Sequence, residues 1–393
     1  MPRRSRVGDL PTPALLLDLD VLERNLDRMA ERTRALGVAL RPHAKTHKCL
    51  EVGRMQRERG ARGITVATLP EAVAFADGGF DDVTWAFPLV LGRLDEVTAL
   101  ARRITLRVTV DSAAAAAALG RAARAAGAVV HAWLEVDSGH GRSGIDPRSA
   151  EAVAVARALA AEGGVAFDGL LTHAGQSYRA ATRAERAAVA EAERATMVAL
   201  AARLGREGVP VAAVSVGSTP AMSAVERLDG VTEVRPGNYA FHDFMQVASG
   251  VCAPEDCAVT VLASVVSHQA GADHVVVDAG ALALSKDPGP HDPALARGLG
   301  PVMVGLTGHA LDPELEVTAV SQEHGMVGTG GVGGRVWGVS PTPYTPHPTP
   351  SLDVGEKLRI LPNHSCLTAA MFDRYHVVRG EDVVDEWAIW RRR

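Results

Sequence analysis

Along the first two thirds of the chain, short β-branched and apolar runs alternate with longer segments rich in Ala, Leu, Arg and Glu, whose apolar residues recur at helical spacing. Such alternation predicts βα units around a parallel sheet. The predicted strands are Val38–Pro42, Gly63–Leu69, Asp82–Phe87, Ile104–Val110, Val129–Val136, Phe167–Thr172, Ala213–Val216 and Thr232–Val234. Eight is the number that closes a (β/α)8 TIM barrel, so an α/β barrel is expected over residues 1–251. The first helix is expected to start at Asp20 as N-cap, with Glu23 as capping-box partner and Leu22, Leu26 and Met29 facing the core. Gly37 should stop it. Two alanine-rich stretches, Ala113–Ala126 and Ala180–Leu204, carry interspersed Arg and Glu and read as amphipathic outer helices rather than low-complexity sequence.

From Cys252 the rhythm changes: the text becomes β-rich, punctuated by Gly and Pro, with no long amphipathic helix. Expected strands are Val259–Val266, His274–Asp278, Glu316–Val320, Lys357–Ile360 and Tyr375–Val378, which makes residues 252–393 a second, mainly antiparallel β domain. Residues 1–18 are candidates to pack with it. The proline-spaced segment from Pro341 to Pro350 can be neither helix nor central strand and reads as a stiff loop.

Composition narrows the function. Of 393 residues, 47% are hydrophobic and 22% charged, an ordinary globular balance, and aromatics at 4% are too few for a base-stacking platform. The net charge of -5 is spread without long blocks, so neither a nucleic acid nor a membrane surface is indicated as partner. The basic first residues lead into Gly8-Asp9-Leu10-Pro11 rather than an apolar core, so no secretory signal is read, and no apolar run reaches membrane-spanning length. Cys49, Cys252, Cys257 and Cys366 form no CxxC pair; a cytoplasmic protein with reduced thiols is expected.

In a barrel the reactive groups collect at the carboxyl ends of the strands. The first predicted strand ends in RPHAKTHK (41–48), where Lys45 stands among cations that would depress its pKa, the condition for a Schiff-base amine. The fifth runs into DSGHGRSG (137–144), whose glycines allow close backbone approach and whose Arg142 can meet an anionic oxygen. The sixth ends in HAGQSY (173–178). The seventh and eighth end in Gly217-Ser218-Thr219-Pro220 and Arg235-Pro236-Gly237-Asn238-Tyr239, adjacent turns suited to a phosphate. One amine, one arginine and two phosphate-type turns make a coherent pyridoxal 5'-phosphate cradle.

A different signal follows strand Lys357–Ile360. In Pro362-Asn363-His364-Ser365-Cys366, an extended backbone would point His364 and Cys366 the same way, offering imidazole and thiolate to one ion. Two protein ligands would leave positions open for water and substrate, as in a catalytic metal site. A buried cysteine beside a hydrogen-bonded histidine is the alternative reading of the same motif.

The ordered set TPAL (12–15), RPHAKTHK, DSGHGRSG, HAGQSY, GSTP, RPGNY and NHSC resembles the fold-type III pyridoxal phosphate enzymes of the D-threonine aldolase and eukaryotic-type D-serine dehydratase group, relatives of alanine racemase, over nearly the whole chain. The resemblance implies that Lys45 forms the cofactor Schiff base, with Arg142, Tyr178, Gly217, Ser218, Thr219, Gly237, Asn238 and Tyr239 as further cofactor contacts. It also implies that His364 and Cys366 bind a divalent metal, usually Zn2+, with another such as Mn2+ as the alternative, and that the chain forms a homodimer. Aldolases of the group tend to use histidine and aspartate as metal ligands and dehydratases histidine and cysteine, so Cys366 points to dehydration of a β-hydroxy D-amino acid.

In that reaction the amine of Lys45 is placed to remove the α-proton and the metal to activate the β-hydroxyl as a leaving group. Retro-aldol cleavage to glycine and an aldehyde is the alternative, with His173 or Tyr178 as base. A racemase would need a second base, for which Tyr344 is the candidate. A non-enzymatic cofactor carrier would not need the β domain.

Overall fold

The computed structural model of the protein describes residues 5–290, 292–329 and 352–391. The proline-rich segment and Tyr344 lie outside the described residues. The chain divides into two compact units. One comprises Leu26–Lys45 and Leu50–Gly237; the other draws on Met1–Asn25, Thr46–Cys49 and Asn238–Arg391.

Strands are numbered along the whole chain. β1 (Ala14–Asp18) belongs to the second unit. The first unit holds β2 (Ala39–Leu40), β3 (Ile64–Val66), β4 (Asp82–Pro88), β5 (Thr105–Val110), β6 (Val130–Val136), β7 (Val165–Thr172), β8 (Ala213–Val216) and β9 (Glu233–Val234), so all eight expected barrel strands form. They pair in parallel in the order β2-β9-β8-β7-β6-β5-β4-β3, and an isolated bridge from His43 to Thr65 joins the two ends into a ring. β3 is fully buried and β6 nearly so, as expected of parallel strands covered on both faces. Helices lie between them, several opened by local caps: Thr68 with Glu71 and Thr182 with Glu185 as capping boxes, and Ser112 and Ser149 as single caps. The alanine-rich segments form helices Ala113–Ala126 and Arg183–Arg206.

An ion network ties these strands together. The Arg41 guanidinium bonds Glu233 Oε2 through Nε at 2.9 Å and Asp82 through both Nη atoms. Arg107 continues it to Asp82 and Asp168, and Asp168 accepts from or pairs with His131 Nδ1 at 2.7 Å. Gly63 is required beside it, since a Cβ there would lie 2.3 Å from Arg41 Nη1. Burial works against the Arg41 charge, but Glu233 and Asp82 outweigh it and raise its pKa. Arg41→Met would leave buried Glu233 without its ion-pair partner and should destabilise the protein by about 3–5 kcal/mol. Chemical denaturation reads this as a lower midpoint at unchanged m value; an unmoved midpoint would show that the network contributes nothing.

Among the described residues the second unit holds a nine-stranded sheet. After β1 it contains β10 (Val259–Ser267), β11 (His274–Val277), β12 (Pro301–Met303), β13 (Leu311–Val320), β14 (Gly325–Thr329), β15 (Lys357–Ile360), β16 (Arg374–Arg379) and β17 (Asp382–Ala388). The order is β11-β14-β13-β12-β15-β10-β1-β16-β17, with β10 also pairing β11. Among the described residues, only β1–β16 is a parallel pair in this sheet. Thus the chain's first strand is part of the β sheet, and the division falls at Gly237/Asn238 rather than 251/252. The reason is local pairing: Phe244 N–H donates to Pro362 O at 3.1 Å and Met245 N–H to Asn363 O at 3.3 Å.

The first helix, Leu19–Ala35, corrects a second expectation. β1 runs straight into it, so Asp18 is the last extended residue and caps, accepting the Val21 N–H at 3.1 Å. Asp20 and Glu23 instead hold Arg379. The helix ends as its glycine requires, with Gly37 at φ +70°.

Candidate active site

In the barrel unit the turn after β2 is set by backbone pairing. His43 N–H donates to Pro236 O at 3.0 Å, Ala44 N–H to Thr65 O at 2.7 Å, and Lys45 N–H to its own neighbour's ring, His43 Nδ1, at 3.3 Å. Lys45 is half-buried there.

His173, at the end of β7, is where the expected strand-end groups meet. Burial first, and then the positive charges of Lys45, Arg142 and Arg235 with His140, hold its pKa well below the ordinary value. The physical consequence is a neutral imidazole at pH 7, able to accept a proton. Its ring lies 5.9 Å from that of His140, edge to face, and 6.4 Å from that of Tyr178.

The loop after β6 owes its shape to Asp137. Its Oδ1 accepts the N–H groups of Gly139, His140 and Gly141 at 2.9, 2.8 and 3.1 Å. Burial pushes the Asp137 carboxyl up, but these amides outweigh it and its pKa is lowered. Gly139 and Gly141 have φ of +116° and +72°, which side-chain-bearing residues rarely adopt. Gly175 is small for another reason: a Cβ would lie 2.4 Å from His140 Nε2. Arg142 is exposed in this loop.

The turn after β8 differs in part from the sequence expectation. Gly217, at φ +96°, gives its N–H to Glu193 Oε1 at 3.2 Å, so that amide is not available to a phosphate. Ser218 caps the short helix Thr219–Ala224 by accepting Ala221 N–H at 3.3 Å, and its hydroxyl meets Ser177 Oγ at 2.7 Å. Glu193 and Arg235 were not singled out as site residues by sequence. Arg235 is buried and bonds Ser215 Oγ and Thr172 O, joining the ends of three strands. What the turn can offer an anion therefore starts at the backbone of Ser218 and the hydroxyl of Thr219, followed by Gly237.

In the β unit the expected pair comes together: the side chains of His364 and Cys366 are within hydrogen-bonding reach. The segment is not a continuous strand, since helix Ser365–Ala369 starts between them. His364 Nδ1 bonds Asp287 Oδ2 at 2.9 Å. Burial acts to lower the His364 pKa, but Asp287 and Cys366 outweigh it and push it up to about 11. A carboxylate bonded to one imidazole nitrogen, with a soft donor within reach of the ring, is the donor chemistry of a metal-binding histidine, and Asp287 is the orienting group that sequence did not reveal. Among the described residues, no group of three or more His, Cys, Asp and Glu is placed for a metal ion.

The Asn238 side chain turns to the His-x-Cys segment. Its Nδ2 lies 2.8 Å from Asp243 Oδ2, 3.0 Å from Ser365 Oγ and 3.7 Å from Cys366 Sγ, so its side chain supports the His-x-Cys turn rather than a phosphate. Asp243 Oδ2 also accepts Ser365 N–H at 3.0 Å. Tyr239 is buried in the same unit. Cys366 Sγ lies 3.3 Å from Oγ1 of Thr46, the residue that follows Lys45 in the chain.

An eight-stranded parallel barrel with polar groups at its strand ends, and a β unit bearing a His-x-Cys pair, define an enzyme of alanine racemase-like architecture. The chain matches the family model of the alanine racemase N-terminal domain over residues 17–243 and that of a serine dehydratase domain over 258–378. It belongs to the family of D-amino acid lyases that includes D-serine dehydratase, D-threonine aldolase and D-threo-3-hydroxyaspartate dehydratase. It is 41% identical to the D-threo-3-hydroxyaspartate dehydratase of Delftia sp. (strain HT23), covering 96% of this chain and 97% of that one. Identity to the D-threonine aldolase of Arthrobacter sp is 34%, over 100% and 96% of the two chains. The solved structure of the Delftia dehydratase superposes with a TM-score of 0.89 at 39% identity, over 98% and 99% of the chains.

Proposed function

We propose that this chain is a pyridoxal phosphate- and divalent metal-dependent lyase that converts β-hydroxy D-amino acids, such as D-serine, D-threonine or 3-hydroxy-D-aspartate, to 2-oxo acid and ammonia. The observation that carries the reading is the His364–Cys366 pair with Asp287 behind the imidazole. Supporting it, a D-threo-3-hydroxyaspartate dehydratase similar to this chain has been solved as a histidine-to-alanine mutant and as a cysteine-to-alanine mutant in the metal-free form, the two mutated residues standing two positions apart, the spacing of His364 and Cys366.

The bound cofactor would supply an electron sink at the substrate α-carbon and the metal ion a Lewis acid for the β-hydroxyl. Lys45 would hold the cofactor by its amine and, once that amine is exchanged for the substrate's, remove the α-proton. Ser218, Thr219 and Gly237 would hold the phosphate, with Arg142 and Tyr178 flanking His173. His364 Nε2 and Cys366 Sγ would hold the ion. By analogy with the family, the proposed state is a cytoplasmic homodimer. No helix among the described residues is long and apolar enough to cross a membrane.

Retro-aldol cleavage is the second reading, with the half-buried, neutral His173 as the group that would accept the proton of the substrate hydroxyl. Product analysis separates the two. Purified protein with pyridoxal phosphate and Zn2+ or Mn2+ is expected to release ammonia and 2-oxo acid from the three substrates above. Glycine plus aldehyde would establish the aldolase instead, and neither product from any of them would refute the lyase.

A further inference from the structure

Helix Arg183–Arg206 carries many charged residues, and most belong to its outer surface; Glu191 pairs with Arg194 and Arg227 there. Glu193 does the opposite. It is only 1% exposed, and its Oε1 accepts two backbone amides at 3.2 Å each, from Ala174 and from Gly217. Ala174 directly follows His173, and Gly217 opens the turn in which Ser218 and Thr219 lie. A single carboxyl oxygen thus joins the ends of β7 and β8, and the Ser177–Ser218 hydroxyl pair braces the same two turns.

Among the described residues Glu193 forms no ion pair. Arg235 faces it, but directs its donors to Ser215 Oγ and Thr172 O, and Arg235 in turn feels the charges of Glu233 in the strand it follows and of Glu135 and Arg41 from other strand ends. His173 adjoins the same turn, itself under the positive charges of Lys45, Arg142 and Arg235. Burial without a paired cation favours the neutral acid, pushing the Glu193 pKa up to about 7 in spite of the two amides and Arg235.

We propose that Glu193 is a positioning residue for the cofactor: its carboxyl fixes the His173 turn to the phosphate-side turn, and its ionisation opposes binding of the phosphate dianion. This rests on the cofactor reading above. A carboxylate bonded to Gly217 stands one residue from the proposed phosphate donors, so phosphate and ionised Glu193 repel each other across a buried site. Cofactor affinity then falls as Glu193 loses its proton, and bound cofactor makes the acid harder to ionise by the same factor.

The test is titration of the apoprotein with pyridoxal phosphate between pH 6 and pH 8, followed by absorbance, for the wild type, Glu193→Gln and Glu193→Ala. Glutamine can accept the same two amides and cannot ionise. The wild-type dissociation constant should rise by about fivefold more across this range than that of Glu193→Gln. Glu193→Ala should bind several-fold more weakly than Glu193→Gln at pH 6, where charge is not at issue.

Thermal melting of the apoproteins gives a reading independent of the cofactor. A raised carboxyl pKa contributes stability below the unfolded value and loses it as pH climbs to 7, so the wild-type midpoint should fall from pH 5 to pH 7.5 more steeply than that of Glu193→Gln. Parallel pH profiles for wild type and Glu193→Gln in both measurements, or wild-type affinity in Glu193→Ala, would overturn the proposal. A wild-type protein that binds no pyridoxal phosphate would instead overturn the cofactor reading itself.

Discussion

Lys45→Ala abolishes the absorbance of lysine-linked pyridoxal phosphate and lowers turnover of β-hydroxy D-amino acids by about four orders of magnitude, the upper end of what a positioned acid–base group contributes. The expectation follows from position. The turn that carries Lys45 is pinned by the His43–Pro236 and Ala44–Thr65 backbone bonds, so the substitution removes the amine without moving its surroundings. The His173 pKa should rise in the same variant, because one of the charges that depress it is gone. Absorbance of the reconstituted variant, a product assay and NMR titration of His173 check the three parts. Retention of the wild-type absorbance band would remove Lys45 from the role assigned to it.

Removing the sulfur of Cys366 should be nearly as severe. Cys366→Ala is expected to lose bound metal on dialysis and at least about a hundredfold in activity, while retaining pyridoxal phosphate, because metal and cofactor are held by different residues. Asp287→Ala is the graded comparison: the ligands stay, but His364 loses the carboxylate that orients it, and metal affinity should fall by about 10–100-fold. Metal analysis after dialysis, with activity restored by excess Zn2+ or Mn2+ in Asp287→Ala but not in Cys366→Ala, reads both. Equal metal content in wild type and Cys366→Ala would return the motif to a buried cysteine beside a hydrogen-bonded histidine. Together with Lys45→Ala, these variants separate loss of cofactor from loss of metal, which product analysis alone cannot do.

Where the sequence misjudged secondary structure, the causes are specific. β12 is three residues long, β14 begins in Gly-Met-Val-Gly, and β17 carries Asp382, Asp385 and Glu386, so none presents a clear period-two pattern. β1 reads as an apolar lead-in to the first helix, and its pairing with β10 and β16 joins positions more than two hundred residues apart. The misplaced helix cap has the same origin, since Asp18 caps only because β1 ends there.

The sequence by itself determined the eight barrel strands, the turns at their ends, Lys45 and the His364–Cys366 spacing. These are local properties: apolar periodicity, glycine where φ is positive, and reactive side chains within a few residues of one another. Tertiary structure alone decided which polar groups stand behind those residues. Asp287 meets His364 across 77 positions, and Asn238 meets Ser365 across 127. Glu193, in a helix full of Glu and Arg, is distinguished only by facing inward to two amides. Nothing in local pattern separates a buried carboxyl from a solvated one; the low dielectric and the partners that make it different exist only once distant segments are packed together.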